Sequence, residues 1–410
     1  MRILLMCISV LAWGQDLIVQ AVPISNRTPE AIQSWRVQLD WTVFGDPGQS
    51  FSVSFPTGDV AQARSLGATT RPSGVNSYAA LLSMDGVETD LLLTTQGVWA
   101  AGVAYLPHRQ FVIEPDETGV LLMEVDPASY PPCGGALPAL APKESQSLMQ
   151  RLDSGALIDV MVVYTAQARS AAGGVAAMEA TIQAAVDATN TAYANSQIDP
   201  RLRLVHTAEV GHADAGDMGV DLNWVASDPG VAALRNTYHA DMVSLIVNNG
   251  GGACGIGYVQ RNPGPGFAGS AFQVTARGCA VGNLSFAHEF GHNQGCEHNP
   301  ENSSAWPSGG SFPWSFAHYH NGSYRTVMSY SNPCTSGCTR HPYFSNSLVQ
   351  FMGLPTGVLD QRENYRTINA TASIVANFRQ GCPVSAFTDW PITSVDVFVS
   401  AVNENCLTGP

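Results

Sequence analysis

Residues 288–298 read HEFGHNQGCEH, with three histidines, two glutamates and two glycines in one short run. His288 and His292 lie four positions apart, so on a helix their imidazoles leave one face a single turn apart. The surrounding NLSFAHEFGHNQG predicts a short helix with Ser285 as its N-cap and Gly295 as its stop. Glu289 then points beside the pair, close enough to touch a water on a shared ion without ligating the ion. Gly295 tolerates positive φ and turns the chain sharply, which would return His298 as a third ligand. Three neutral nitrogens with an open fourth position make a catalytic zinc arrangement rather than a closed structural one. Zinc there lowers the pKa of a water, and Glu289 takes its proton and later hands it to a leaving amine. One catalytic Zn2+ is therefore expected; a structural Ca2+ is left open.

The chain ahead of this helix alternates strands and helices. IDVMVVYT (158–165), LRLVHTAEV (202–210), DMVSLIVNN (241–249), CGIGYV (254–259) and AFQVTARG (271–278) read as five strands. A long Ala-rich helix over 173–197 and a short one around VAALRNTYHA intervene. The expected layer is an α/β (α+β) catalytic domain with a five-stranded mixed sheet, the active-site helix following directly. CGIGYV, short and broken by glycine, suits an edge strand that binds extended peptide by β-augmentation.

Residues from about 15 to 130 have another texture. WRVQLDWTVF, SFSVSF, AALLSM, TDLLLTT, GVWAAGVAYL, QFVIEP and GVLLMEV alternate apolar and polar positions at short spacing, which predicts an antiparallel β domain. YPPCGGALPALAPKESQSLMQRL (130–152) lacks periodicity and reads as a linker. At the N-terminus, Met1-Arg2 precedes the short apolar run ILLMCISVLAW, the layout of a secretory signal cut near Gly14. The expected organisation is signal 1–14, β-rich propeptide 15–152, catalytic domain 153–380 and a short tail 381–410. No segment is long and apolar enough to span a bilayer. A formal net charge of -14 without Lys/Arg clusters argues against nucleic acid as a partner. Export places the chain outside the cell, where cysteines pair; eight of the nine remain once Cys7 leaves with the signal.

HExxHxxGxxH, followed downstream by YRTVMSY (324–330), resembles the metzincin metallopeptidases. IDVMVVYTAQAR, HEFGHNQGCEHN and YRTVMSYSNPCTSGCTRHPYFSN look closest to the reprolysin-like, bacterial peptidyl-Asp metallopeptidase type. The similarity covers roughly 157–380. Asn299 stands where adamalysins carry Asp. The resemblance implies that Met328 lies beneath the histidines as an apolar floor. It implies for Tyr330 a hydroxyl near the ion or the oxyanion, against a packed aromatic as the plain alternative. Arg325 and Arg340 flank the region of the specificity pocket. They are read either as surface arginines or as partners for an acidic substrate side chain at P1'.

Cys133, in PPCGG, resembles a latency cysteine that fills the fourth metal position; an ordinary disulfide is the other reading. The expected pairs are Cys254–Cys279, Cys334–Cys338 and Cys382–Cys406, with Cys296 left over. His318, His320 and His341 near the methionine read as solvated loop histidines before a second metal site. The whole points to a secreted, monomeric zinc endopeptidase acting on proteins or peptides and inhibited by its own propeptide. A silent metzincin scaffold used for binding or adhesion is the alternative, and the intact Glu289 argues against it.

Overall fold

A computed structural model describes residues 15–141 and 155–379. The expected signal segment, the Cys382–Cys406 pair and the tail 381–410 lie outside the described residues. The N-terminal part forms a nine-stranded antiparallel sheet: β1 (Ile18–Ile24), β2 (Ala31–Leu39), β3 (Ser50–Ser54), β4 (Val60–Thr70), β5 (Val75–Met84), β6 (Val87–Gln96), β7 (Trp99–Tyr105), β8 (Gln110–Asp116) and β9 (Gly119–Val125). Their order across the sheet is β1-β2-β9-β8-β7-β6-β5-β4-β3. Strand β4 escaped the sequence reading because its inward positions are Ala61, Ala63, Ser65, Gly67 and Thr69. They alternate faithfully but are too small to register as an apolar stripe. WTVF, expected to extend a strand, is instead a 3-10 turn capped by Asp40.

The second part carries the five expected strands: β11 (Leu157–Tyr164), β12 (Arg201–Glu209), β13 (Met242–Val247), β14 (Gly255–Val259) and β15 (Phe272–Ala276). A sixth, β10 (Cys133–Pro138), comes from the stretch expected to be linker, so the sheet reads β10-β14-β15-β13-β11-β12. Its isolated run has no apolar period; what makes it a strand is pairing, parallel, onto β14. Only β14 and β15 run antiparallel; the other neighbours in this sheet are parallel. Helices follow as α1 (Ala166–Ala172), α2 (Val175–Asn195), α3 (Met218–Ser227), α4 (Pro229–Thr237), α5 (Arg277–Ala280), α6 (Ser285–Asn293) and α7 (Asn364–Val375). Helix α3 went unforeseen; its signal was Asp217, whose carboxylate accepts from the amides of Gly219 and Val220.

Both parts share one core. Leu92, Val103, Val112, Leu121 and Met123 of the first sheet pack in a cluster with Met178, Ile182 and Val186 of α2 and the strands behind them. Helix α2 is therefore buried on nearly every side, which explains its many alanines: small residues let a sheet and a helix layer approach it from opposite faces. A buried ion pair sits in this contact. Asp187 of α2 accepts from Arg71 (3.2 Å), Thr94 (2.9 Å), Gln183 (2.9 Å) and Ser77. Burial pushes its pKa up, while Arg71 and the hydroxyls pull the other way. Asp187→Ala removes the common acceptor of three side chains of the N-terminal sheet. Denaturant unfolding of the full-length chain should lose about 3 kcal/mol, whereas a change below about 0.5 kcal/mol would mean that the contact is held by apolar packing alone.

Candidate active site

Helix α6 runs beneath β14, which was expected to be an edge but has β10 paired on its outer side, and hydrogen bonds tie helix and strand together. The Gln260 amide donates to the His292 carbonyl (3.0 Å), and Asn293 donates to the carbonyls of Tyr258 (2.8 Å) and Phe272 (3.1 Å). The helix begins differently from expectation. Ser285 is its first residue, and Leu284, at φ 53, is the cap with no side-chain bond. The Ser285 hydroxyl instead accepts from Asn283 (3.0 Å). Its end agrees: Gly295 has φ 94, its amide donates to the His292 carbonyl (2.9 Å), and the chain folds back. A side chain there would also strike Ser311.

That turn returns His298 to the helix. Its Nε2 lies 3.1 Å from His288 Nε2 and 2.9 Å from His292 Nε2. The outer nitrogens of the helical pair face backbone carbonyls, His288 Nδ1 with Val327 (2.9 Å) and His292 Nδ1 with Cys296 (2.8 Å). A carbonyl only accepts, so each Nδ1 carries the proton and each Nε2 presents a lone pair inward. Burial pushes all three imidazoles down, His292 to about 4. They are thus neutral at physiological pH, the form that ligates. Converging lone pairs repel unless a cation lies among them, so this donor set fits a metal ion. Cys133 Sγ joins the three nitrogens in one group whose ligand atoms lie within 4.8 Å of one another. Among the described residues Cys133 finds no disulfide partner: the bonds there are Cys254–Cys279 and Cys334–Cys338, as expected, and Cys133 and Cys296 are free.

Glu289 is fully buried beside the trio. Burial pushes its pKa up to about 8, with the Cys133 thiol and Arg340 pulling it back. Neither carboxylate oxygen makes a hydrogen bond of normal geometry, and the Cys133 thiol stands close enough to lower its pKa. Space for it comes from β14. A Cβ at Gly255 would stand 2.6 Å from Glu289 Oε1, which gives the glycines of CGIGYV a reason beyond weakening a strand.

Met328 is buried against Gly291, midway between the helical histidines, where a Cβ would meet its sulfur at 2.4 Å. The Tyr330 ring lies 4.4 Å from that of His298, its amide donates to Asn299 Oδ1 (3.0 Å), and its hydroxyl donates to the Cys133 carbonyl (3.3 Å). Arg325 and Arg340 are not surface residues; each is about 5% exposed or less. They face each other across the short parallel pair β16 (Tyr324–Arg325) and β17 (Thr339–Arg340). His318 and His341 are likewise buried rather than solvated, and His318 Nε2 lies 3.2 Å from His320 Nε2. Gly291→Ala, which forces Met328 from beneath the histidines, should lower unfolding stability by about 1–3 kcal/mol, and Met328→Leu by less than about 1.5 kcal/mol. Equal losses, read by thermal denaturation, would show that the close approach at Gly291 is not what seats the methionine.

Residues 155–345 match a reprolysin-type profile described as Metallo-peptidase family M12. Three relatives are named Peptidyl-Asp metalloendopeptidase. The Xanthomonas campestris protein is 33% identical over 72% of each chain. That of Stenotrophomonas maltophilia is 30% identical over 75% of each. That of Pseudomonas aeruginosa is 34% identical over 54% of this chain and 40% of its own. With identity of this extent over 72% of the chain, and a histidine trio built to take a metal, the chain belongs to the peptidyl-Asp metalloendopeptidase family of the M12 peptidases and is a metalloendopeptidase.

Proposed function

We propose that the chain is a secreted zinc-dependent endopeptidase made as a latent precursor, organised as signal 1–14, propeptide 15–152, catalytic domain 153–380 and tail 381–410. The observation that carries this reading is the convergence of three buried Nε2 atoms with Glu289 one residue from the first of them. His288, His292 and His298 would hold the ion, and Cys133 would add a fourth ligand in the precursor. Bound there, zinc supplies Lewis-acid polarisation of a water and of the scissile carbonyl. Glu289 takes the proton of the attacking water and passes it to the leaving amine; burial raises its pKa above the ordinary carboxylate range, which favours holding that proton until the amine leaves. Tyr330, beside His298, donates toward the oxyanion once the Cys133 carbonyl no longer accepts from it. Met328 and Gly295 hold the shape of the site.

Latency follows from where residues 133–138 lie. Strand β10 takes the hydrogen bonds of the edge that an extended peptide needs, with Cys133 opposite Gly255 and Ala136 opposite Gly257. Its first residue delivers the thiol to the histidines. One short segment thus closes both the peptide groove and the metal. The relatives' name, together with two buried guanidiniums near the site, supports a preference for acidic residues after the cut.

The test is casein hydrolysis with and without a zinc chelator. Glu289→Ala should cost about 10²–10⁴-fold in turnover, and activity that survives it would sink the mechanism. Cys133→Ser in the full-length chain should raise activity before any cleavage; a precursor no more active than the parent would remove the thiol from latency. Tyr330→Phe should lower kcat with KM little changed, and unaltered turnover would reduce Tyr330 to a packed ring.

A further inference from the structure

Two histidines outside the trio repeat its geometry. His318 and His320 lie two apart in a stretch that turns back at once: the His320 amide donates to the Tyr324 carbonyl (2.7 Å), and Tyr319 pairs antiparallel with Arg325. Alternation along an extended chain puts residues two apart on one face, so both imidazoles leave the same side. Their Nε2 atoms stand 3.2 Å apart, and their rings meet edge-on, centroids 4.7 Å apart at 86°. His292 and His298 of the trio show the same arrangement, at 2.9 Å, 4.6 Å and 82°. A third donor converges on the pair. The Pro355 carbonyl, in the hairpin of β18 (Gln350–Phe351) and β19 (Leu354–Pro355), lies 2.9 Å from His320 Nε2. The Tyr324 hydroxyl steadies that hairpin, facing the carbonyls of Leu354 (3.1 Å) and Pro355 (3.0 Å).

Protons alone do not satisfy these contacts. Arg362 approaches His318 Nδ1 (3.4 Å), and a guanidinium only donates, so this nitrogen has to be bare and the proton has to sit on Nε2. That proton points at His320 Nε2, which then has to be bare as well. Yet His320 Nε2 also faces the Pro355 carbonyl, which only accepts and calls for a proton there. Moving the proton to His320 Nε2 answers Pro355 and lets His318 Nε2 accept, but it sets a proton on His318 Nδ1 against the guanidinium. Every assignment leaves one contact repulsive, and His318, 8% exposed, has little water to relieve it. A cation among the three inner atoms ends the conflict between them, since both lone pairs and the carbonyl oxygen then point at positive charge. The contact given up is the longest, and Arg362 keeps Glu301 (3.2 Å) and its place over the Tyr319 ring.

We propose that His318, His320 and the Pro355 carbonyl form a second metal site, separate from the trio, for a divalent transition ion that favours imidazole, zinc first among them. Tetrahedral zinc with bonds of about 2.0–2.1 Å sets neighbouring nitrogens about 3.3 Å apart, which this pair already meets. Ca2+ and Mg2+ are disfavoured, because they call for oxygen ligands and the set offers a single one. The neighbouring His341 takes no part; its ring packs against Tyr105 and Phe351. The ion is a staple rather than a second catalyst. It joins the hairpin over 318–326 to that over 350–355, and the first of these leads into the methionine floor. Thr326, whose amide (3.0 Å) and hydroxyl (2.8 Å) both donate to the His318 carbonyl, stands two residues before Met328.

Metal counting on the full-length chain tests this. Chelator-stripped protein is titrated with Zn2+ against a chromophoric chelator. The parent should take up about two equivalents, His288→Ala/His292→Ala and His318→Ala/His320→Ala about one each, and the fourfold variant none. Zn2+ should also raise the melting temperature of the His288→Ala/His292→Ala chain, because the site exists only in the folded state. His320→Ala, at the half-buried and more tolerant of the two positions, should abolish that rise, and Ca2+ should not produce it. Should the variant lacking both His318 and His320 not fold, His320→Ala takes its place in the count. A parent that binds a single equivalent, or a Zn2+-dependent rise that survives His320→Ala, overturns the inference. The second equivalent is read in a chain without the trio, so its presence or absence stands apart from the fate of the peptidase reading.

Discussion

Three imidazole lone pairs forced to within about 3 Å of one another are the constraint to which the rest of the site answers. Left alone they repel, and burial denies them the protons that would relieve the repulsion. Everything nearby fixes them regardless. The carbonyls of Val327 and Cys296 hold two of the rings by their outer nitrogens. Gly295 supplies the left-handed turn that returns the third, and Gly291 lets Met328 lie flush beneath the helical pair. Such preorganisation against local repulsion is intelligible when the binding of a cation more than offsets it.

How much of this could be read in advance depended on whether the determinant was local. The ligand spacing, the turn at Gly295 and the base at Glu289 belong to one helix and one turn, and the run 288–298 displays them all. The five strands of the second sheet carry continuous apolar runs. The failures share a cause. Strand β4 has small inward residues, and β10 has no pattern of its own and exists because β14 offers it an edge. Arg325 and Arg340 read as surface residues because burial of a charge is decided by what packs over it, and here that includes a sheet distant in sequence. Ser285 is a good cap residue displaced by one position because Leu284 takes a left-handed conformation before it.

Because the N-terminal sheet and the second part share one hydrophobic cluster, the full-length chain is better understood as a single folding unit than as an enzyme with a removable cover. Helix α2 illustrates the point. Its face toward β5, β6 and β7 is almost as buried as its face toward the second sheet, and Asp187 is placed to be satisfied mainly by the N-terminal sheet. Loss of that sheet would expose apolar helix surface and free a carboxylate into water. The aspartate softens this exposure, since a charge that is strained by burial is comfortable once solvated.

The arginine pair obeys the opposite logic. Asp187 is matched within the full-length chain, whereas Arg325 and Arg340 donate there only to neutral oxygens, with Glu289 acting on Arg340 without a hydrogen bond, and their Nε donors are left over. The Ser329 carbonyl, which both cations share, and the two oxygens of Asn283, one for each, stabilise them less than an anion would, because dipole fields fall off faster than that of a charge. A carboxylate entering this site would recover interaction that the resting protein lacks, in a setting of low dielectric where each charge-assisted bond counts for more than in water. The same imbalance makes an uncharged side chain a poor occupant: it would leave both cations unanswered.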